Sequence, residues 1–378
     1  MGKRVHRQGG QMTRRQFVNR LLKLWGTSMT AAPGYGRLAS AAVPGTDGDM
    51  PHYRPLNGRN LKDLALRKAH HGPRGMFVNP MGNRDHRNLL QVLYWKCLYD
   101  NPYTKYFDDE PIKTVSMDWQ AVSTGKGVSV TFLKHAGVVV RDEAELIFVD
   151  PVFRDIFFFI KDFTPLTESS LYLPRAAHVL ITHGHYDHLD TASLSRFPGD
   201  THLISPLGYT DIFDDVKMSN VSPLDWFDTY DDGNVEITFI PGNHWTMRNP
   251  LIGPNRALWG GYIIRTKSGM TIFLSGDTAY FDGFEQIGSM YDIDLAIFNL
   301  GAYEPRWFMA ANHMNPHEVV RAFQELKAGK LMVVHWGTFR LGDEPVHFPP
   351  LELEKVLKEK GLIDAWIDIR HGETVQFG

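Results

Sequence analysis

The sequence predicts an α+β protein in which two β-sheets pack face to face with helices outside. Three observations lead there. From Gly127 onward, short apolar runs bounded by Gly, Pro or Asp follow one another at close spacing, which is the pattern of buried strands. The runs outnumber the helical segments and arrive in two sets, so each set has an apolar face that the other can cover. The composition, 43% hydrophobic and 22% charged over 378 residues, is that of a globular chain long enough for a large core.

In chain order, Val128 to Leu133, Gly137 to Val140 and Leu146 to Val149 read as a meander that ends in Asp150-Pro151. Ala177 to Thr182, His202 to Ser205 and Val235 to Ile240 follow. Gly261 to Thr266 and Met270 to Ser275 are joined by Lys267-Ser268-Gly269, a hairpin turn. Leu295 to Asn299 and Leu331 to His335 complete the set. One helix is well signposted: Asn315 as N-cap, Pro316 at the first position, Glu318 at the capping-box offset, an apolar face of Val319, Val320, Phe323 and Leu326, and Gly329 as the stop. A second, carrying Leu89, Leu90, Val92, Leu93, Trp95 and Leu98, lies in a Pro- and Gly-punctuated lead-in over residues 43–126.

The N-terminus has a different texture. Lys3, Arg4 and Arg7 precede Thr13-Arg14-Arg15-Gln16-Phe17-Val18, a mildly apolar stretch from Leu21 to Ala32, and Ala39-Ser40-Ala41-Ala42. Residues 1–42 therefore resemble a twin-arginine signal peptide, which implies a periplasmic or membrane-associated protein. Lys23 and Arg37 interrupt the apolar part, so a basic helix on a cytoplasmic protein is the alternative. No stretch approaches the roughly 18–20 apolar residues of a membrane span. The net charge of −3 argues against nucleic acid as a partner.

Seventeen histidines against the single Cys97 direct attention to imidazole and carboxylate chemistry, since thiolate clusters are impossible. The run Val179-Leu180-Ile181 leads into Thr182-His183-Gly184-His185-Tyr186-Asp187-His188-Leu189-Asp190. Three imidazoles and a carboxylate this close each need a hydrogen-bond or metal partner once desolvated. Alternate residues of an extended segment face one way, so His183 and His185 suit one cation, while Asp187 and His188 suit a second. Further strands end in His244, Asp277 and His335. Two zinc-like ions need about three protein ligands each and a shared oxygen, which this set supplies. The ligand chemistry suits zinc and also admits iron or manganese. His70, His71 and His86 have no carboxylate or third imidazole at ligand spacing and read as surface or packing residues.

His183-x-His185-x-Asp187-His188, His244, Ser275-Gly276-Asp277-Thr278 and His335, in that order, resemble the dinuclear metallo-β-lactamase-like hydrolases, over roughly Gly127 to Leu362. The strings Gly301-Ala302-Tyr303-Glu304-Pro305-Arg306-Trp307-Phe308-Met309 and His335-Trp336-Gly337-Thr338-Phe339 are similar to the branch of N-acylphosphatidylethanolamine-hydrolysing phospholipases D. The resemblance implies a four-layer αβ/βα sandwich with two mixed sheets as the catalytic domain, residues 127–378. It implies two zinc ions, one held by His183, His185 and His244, the other by Asp187, His188 and His335, with Asp277 bridging. Asp187, Asp277 and His313 are the implied catalytic set.

By the same resemblance the substrate is an N-acylphosphatidylethanolamine-like phospholipid, cleaved to N-acylethanolamine and phosphatidic acid by a metal-bridging hydroxide attacking phosphorus. A lactone or amide hydrolase of the same fold is the alternative. His313, in a loop before the capped helix, reads as a proton donor or phosphate contact, or as packing. Tyr303, Trp307, Phe157 and Phe158 are the further substrate candidates. The apolar run Val152 to Phe163 either rims the groove and touches a membrane surface or is core. Tyr186 and Asp190 are expected to orient the imidazoles. One departure stands out: where the family often has Gly before an early His, this chain has Leu133-Lys134-His135.

Overall fold

Alternation along the strands sorts the core into two layers. In β2 (Gly137–Asp142), Val138 and Val140 join one apolar cluster and Val139 the other; in β3 (Glu145–Val149), Ile147 and Val149 join the first, Leu146 and Phe148 the second. Successive residues point to opposite faces, so a sheet covered on both sides needs apolar residues at both parities. The computed structural model describes residues 53–82, 89–109, 111–156, 160–167 and 173–377. The expected signal segment, residues 1–42, lies outside them, as do His86, Phe157 and Phe158.

Thirteen strands are present among the described residues. Besides β2 and β3 they are β1 (Val128–Lys134), β4 (His178–Leu180), β5 (His202–Pro206), β6 (Val221–Leu224), β7 (Thr229–Asp231) and β8 (Val235–Ile240). The rest are β9 (Gly261–Thr266), β10 (Thr271–Leu274), β11 (Leu295–Asn299), β12 (Lys330–Val334) and β13 (Thr374–Phe377). One sheet has the order β13-β1-β2-β3-β4-β5-β6, the other β12-β11-β10-β9-β8-β7. Both mix parallel and antiparallel pairs: β1, β2 and β3 form the expected antiparallel meander, and β3 to β6 run parallel. The architecture is the α+β sandwich of two mixed sheets that the sequence predicts. β6, β7 and β13, which no apolar run announced, are edge strands with few fully buried residues. An edge strand gets half its pairing and often one wet face, so its hydrophobic signature fades.

Helices in chain order are α1 (Leu61–Leu66), α2 (Leu89–Cys97), α3 (Trp119–Thr124), α4 (Thr191–Leu194) and α5 (Thr210–Asp215). They continue as α6 (Phe284–Met290), α7 (Arg306–Met309), α8 (Pro316–Leu326) and α9 (Phe348–Lys360). The N-terminus of α8 forms as its sequence dictates: Asn315 accepts from the Glu318 N–H while Glu318 reaches back to the Asn315 N–H, each at 2.9 Å. Its end comes two residues before the expected Gly329, at Lys327, which adopts a φ of 55°. α8 packs between α6 and α9.

The chain divides into two compact units, residues 51–84 with 103–378, and residues 1–50 with 85–102. Within the second unit, the described part holds α2. Among the described residues no helix is long and apolar enough to cross a membrane.

Direction matters most for the site. β8, β10, β11 and β12 all run one way in the second sheet, and β3 and β4 run together in the first. Their carboxyl ends release Asp150, His183, His244, Asp277, Asn299 and His335.

Candidate metal centre

The seven expected donors converge. His183 Nε2 lies 2.9 Å from His185 Nδ1, which lies 3.3 Å from His244 Nε2. Asp277 Oδ2 stands 3.7 Å from His183 Nε2, 3.8 Å from His244 Nε2 and 3.3 Å from His188 Nε2, and its Oδ1 is 3.3 Å from His335 Nε2. Asp187 Oδ2 is 3.6 Å from His188 Nε2 and 3.5 Å from His335 Nε2. Asp277 thus touches both halves, one of three imidazoles and one of two imidazoles and a carboxylate.

Whether such a set suits a metal is decided by its unpaired atoms. Bare imidazole nitrogens repel one another, and the nitrogens of His188 and His335 that face Asp277 are buried without a hydrogen bond. A tetrahedral zinc with bonds of about 2.1 Å spaces its donors about 3.4 Å apart, close to the separations found. The donors fit a cation in each half.

Charge agrees with that reading for His183, His185, His244 and the two carboxylates, while His188 carries a proton that a cation would have to displace. Burial, the strongest influence on each, holds His183 and His244 well below the usual imidazole range and lowers His185 too. Neutral imidazole is the ligand form. Burial also works to raise Asp187 and Asp277, but the imidazoles, His188 first for one and His335 first for the other, keep both carboxyls well below theirs. For His188 the desolvation that would lower it is outweighed by Asp277, Asp187 and Asp150 together, and it is raised well above its ordinary value.

The imidazoles are held from behind by groups the sequence reading did not assign. His188 Nδ1 donates to Asp150 Oδ2 at 2.7 Å, and Asp150 is fixed by the Thr182 N–H at 2.8 Å and the Thr182 hydroxyl at 2.5 Å. His244 Nδ1 lies 3.1 Å from the Asn312 carbonyl, and Asn299 Nδ2 donates to Asp277 Oδ1 at 2.8 Å. Such contacts set ring orientation and ligand basicity. Tyr186 and Asp190, expected in this role, do other work. Asp190 caps α4 by accepting from Ala192 and Ser193 N–H, and Tyr186, 41% exposed, donates to the Arg248 carbonyl under its guanidinium. The Asp150-Pro151 pair at the end of β3, beside parallel β4, was the available signal.

The backbone around the centre is unusual. Asp150 (φ 42°), His335 (φ 71°), His135 (φ 51°) and Ala302 (φ 54°) are all left-handed. Such residues persist only where the surroundings over-determine them, and they gather at functional sites. Gly276, just before Asp277, has a φ of 57°, and a Cβ there would stand 2.5 Å from the Gly260 carbonyl.

Of the substrate candidates, His313 sits at the cluster. Its Nδ1 is 4.0 Å from Asp277 Oδ2, its ring 5.4 Å from that of His244 and 5.8 Å from that of His335, and burial pushes it down to about 3. Arg306 holds the loop: it donates to the His313 carbonyl at 3.0 Å and pairs with Glu318 at 2.8 Å. Trp307 is half-buried on α7 beside Phe308. Tyr303 lies in the core, 2% exposed, with its hydroxyl on Glu352, so its surface is occupied within the protein. In the apolar run, Val152 and Phe153 are core, and the Phe153 N–H donates to Ser193 Oγ.

His70 and His71 do have a carboxylate, brought from 155 residues away: Asp225 meets His70 Nε2 at 2.5 Å and His71 Nε2 at 2.7 Å. Its oxygens also accept from Lys68 Nζ and from the Trp226 N–H, and His70 stacks on Trp226 at 4.1 Å. Four donors on one carboxylate make a hydrogen-bonded staple that fastens residues 68–71 to the end of β6.

A two-sheet sandwich with histidines and aspartates at its strand ends defines the class of metal-dependent hydrolases. Residues 146–336 match the family described as the beta-lactamase superfamily domain, and the chain belongs to that superfamily. It is 27% identical over 314 residues to N-acyl-phosphatidylethanolamine-hydrolyzing phospholipase D 1 of Caenorhabditis elegans, covering 78% of this chain and 86% of that one. It is 32% identical over 244 residues to the mitochondrial N-acyl-phosphatidylethanolamine-hydrolyzing phospholipase D of Saccharomyces cerevisiae, covering 61% of this chain but only 52% of the yeast protein, about half its length. Among solved structures, a metallo hydrolase from the archaeon Ignicoccus hospitalis superposes with a TM-score of 0.51 at 20% identity, covering 66% of this chain and 98% of its own, a likeness of fold.

Proposed function

We propose that this protein is a zinc-dependent phosphodiesterase of phospholipase D type that hydrolyses N-acylphosphatidylethanolamine-like phospholipids to an N-acylethanolamine and a phosphatidic acid. The observation that carries the reading is the seven-donor set divided by Asp277, with His313 at its edge. Two bound cations supply a nucleophilic water at neutral pH and neutralise charge on the phosphate oxygens. His183, His185 and His244 would hold one, Asp187, His188 and His335 the other, and Asp277 both.

The chain's own groups do the rest. Water adds to phosphorus as the bond from phosphorus to the ethanolamine oxygen breaks, and that oxygen takes up a proton. In this reading His313, neutral through burial, contacts a phosphate oxygen by its ring N–H, and it delivers that proton only where the bound phosphate's charge raises it. The names of the nematode and yeast relatives favour a phosphodiester over a lactone or amide in the same fold. Peripheral membrane contact belongs to the proposal. Its described support is the turn carrying Leu251 and Ile252, 96% and 56% exposed, with Arg256 beside it. Export through a twin-arginine signal in residues 1–42 is proposed as well; recovery of the intact chain from Met1 in the cytoplasm would defeat it.

Turnover of an N-acylphosphatidylethanolamine, a simple aryl phosphodiester and a lactone should be compared on one zinc-loaded preparation. The lipid is expected to be the best substrate. Equal or faster lactone turnover overturns the reading.

A further inference from the structure

We propose that His135 is a positioning residue for Asp187, holding that carboxylate in place for the second half of the centre. The proposal rests on the two-site reading above. His135 closes the turn between β1 and β2 and is fully buried. Its Nε2 lies 2.9 Å from Asp187 Oδ2. A carboxylate only accepts, so Nε2 carries the proton and Nδ1 is bare. Nδ1 is buried and makes no hydrogen bond, which leaves Asp187 as the ring's polar contact.

The rest of the residue is fixed. The His135 N–H donates to Thr338 Oγ1 at 2.8 Å, and its carbonyl accepts the His335 N–H at 2.7 Å. Its ring stands 4.1 Å from the ring of His335 and 5.0 Å from that of Phe339. One residue therefore touches two of the three donors of the second half, Asp187 by side chain and His335 by main chain and ring. A ligand carboxylate with a fixed hydrogen-bond donor has fewer orientations to lose when a cation binds, which is how outer contacts raise affinity.

The bracing continues outward. Thr338 Oγ1 also meets Thr164 Oγ1 at 2.8 Å, the Thr164 N–H donates to Asp162 Oδ1 at 2.8 Å, and Asp162 pairs with the buried ammonium of Lys134. Lys134 is the departure noted in the sequence, in place of the family's frequent Gly. It anchors residues 162–164 on the same hydroxyl that sets His135.

The test is a zinc titration of metal-free protein against a chromophoric chelator, for wild type, His135→Ala, His135→Gln and Thr338→Val. In His135→Ala the first equivalent should bind as in wild type and the second about 10–100-fold more weakly. His135→Gln, whose amide N–H reaches the same carboxylate, should recover most of the loss, and the metal-free Tm of this variant should match wild type. An unchanged second equivalent in His135→Ala overturns the proposal, as does equal weakening of both equivalents with a lower metal-free Tm, the mark of a general packing role. If His135→Ala does not fold, Thr338→Val decides: a weaker second equivalent supports the proposal and an unchanged one overturns it. Wild type binding fewer than two equivalents defeats the two-site reading itself, a result distinct from a normal wild type with an unaffected variant.

Discussion

Asp150→Asn removes one charge and almost no volume from the group behind His188. The wild-type carboxylate accepts three hydrogen bonds, from His188 Nδ1 at 2.7 Å, the Thr182 N–H at 2.8 Å and the Thr182 hydroxyl at 2.5 Å. An amide has one oxygen, so it cannot accept from both His188 and the Thr182 N–H as the carboxylate does; its NH2 must face one of these donors. The φ of 42° is not at issue, because Asn tolerates the left-handed region as Asp does. What is lost is a charge-assisted bond of about 1.5–3 kcal/mol and the ring orientation it sets. Loss of such a partner lowers metal affinity about 10–100-fold, or about 1.4–2.8 kcal/mol. Chelator competition on the metal-free protein should find one equivalent weakened by that factor and the other unchanged. Two unchanged equivalents would refute the assignment of His188 as a ligand oriented by Asp150.

Other perturbations have equally definite outcomes. His335→Ala should leave about one metal per chain by elemental analysis and abolish hydrolysis, and retention of two with normal turnover counts against the second half. Asp225→Ala strips the shared acceptor from His70, His71 and Lys68 and should cost about 3 kcal/mol in chemical denaturation; a change below about 0.5 kcal/mol means the staple is idle. His371, whose Nε2 lies 2.9 Å from the Trp336 carbonyl, is lowered by burial to about 4 from 6.5. The unfolded chain therefore takes up this proton first, so stability is full above about pH 6.5 and falls as pH drops toward 4, by about 3 kcal/mol in all. His371→Phe should flatten that part of the stability curve, and an unchanged curve rejects the assignment. Leu251→Asp should weaken sedimentation with anionic vesicles severalfold while turnover of a soluble phosphodiester stays the same; unaltered sedimentation removes that turn from the membrane contact.

How far the molecule could be read from its sequence follows from where each signal lies. Central strands such as β8, β9 and β11 matched their apolar runs residue for residue, because nearly every residue is buried on either face and single polar residues such as Glu236 and Arg265 leave the runs recognisable. The capping box of α8 was legible because the whole interaction lies within four residues. His183 to His188 stood out for the same reason, and His244, Asp277 and His335 because each follows a strong strand. What stayed hidden depends on chain segments far apart in sequence. Asp150 reaches His188 only because β3 and β4 lie side by side, and His135 reaches Asp187 only because the carboxyl ends of β1 and β4 share one rim of the first sheet. Asp225 likewise gives no sign in the sequence that two histidines 154 and 155 residues away will share it. Tyr303 shows the opposite failure, since a motif can include a residue whose side chain turns into the core.

The proposed reaction is attack at phosphorus by water within a two-metal site. Hydrolysis of an N-acylphosphatidylethanolamine in oxygen-18 water by the zinc-loaded protein tests it most directly. One labelled oxygen is expected in the phosphatidic acid and none in the N-acylethanolamine. Label in a released fatty carboxylate, or no turnover of the lipid while a lactone is opened, would contradict it.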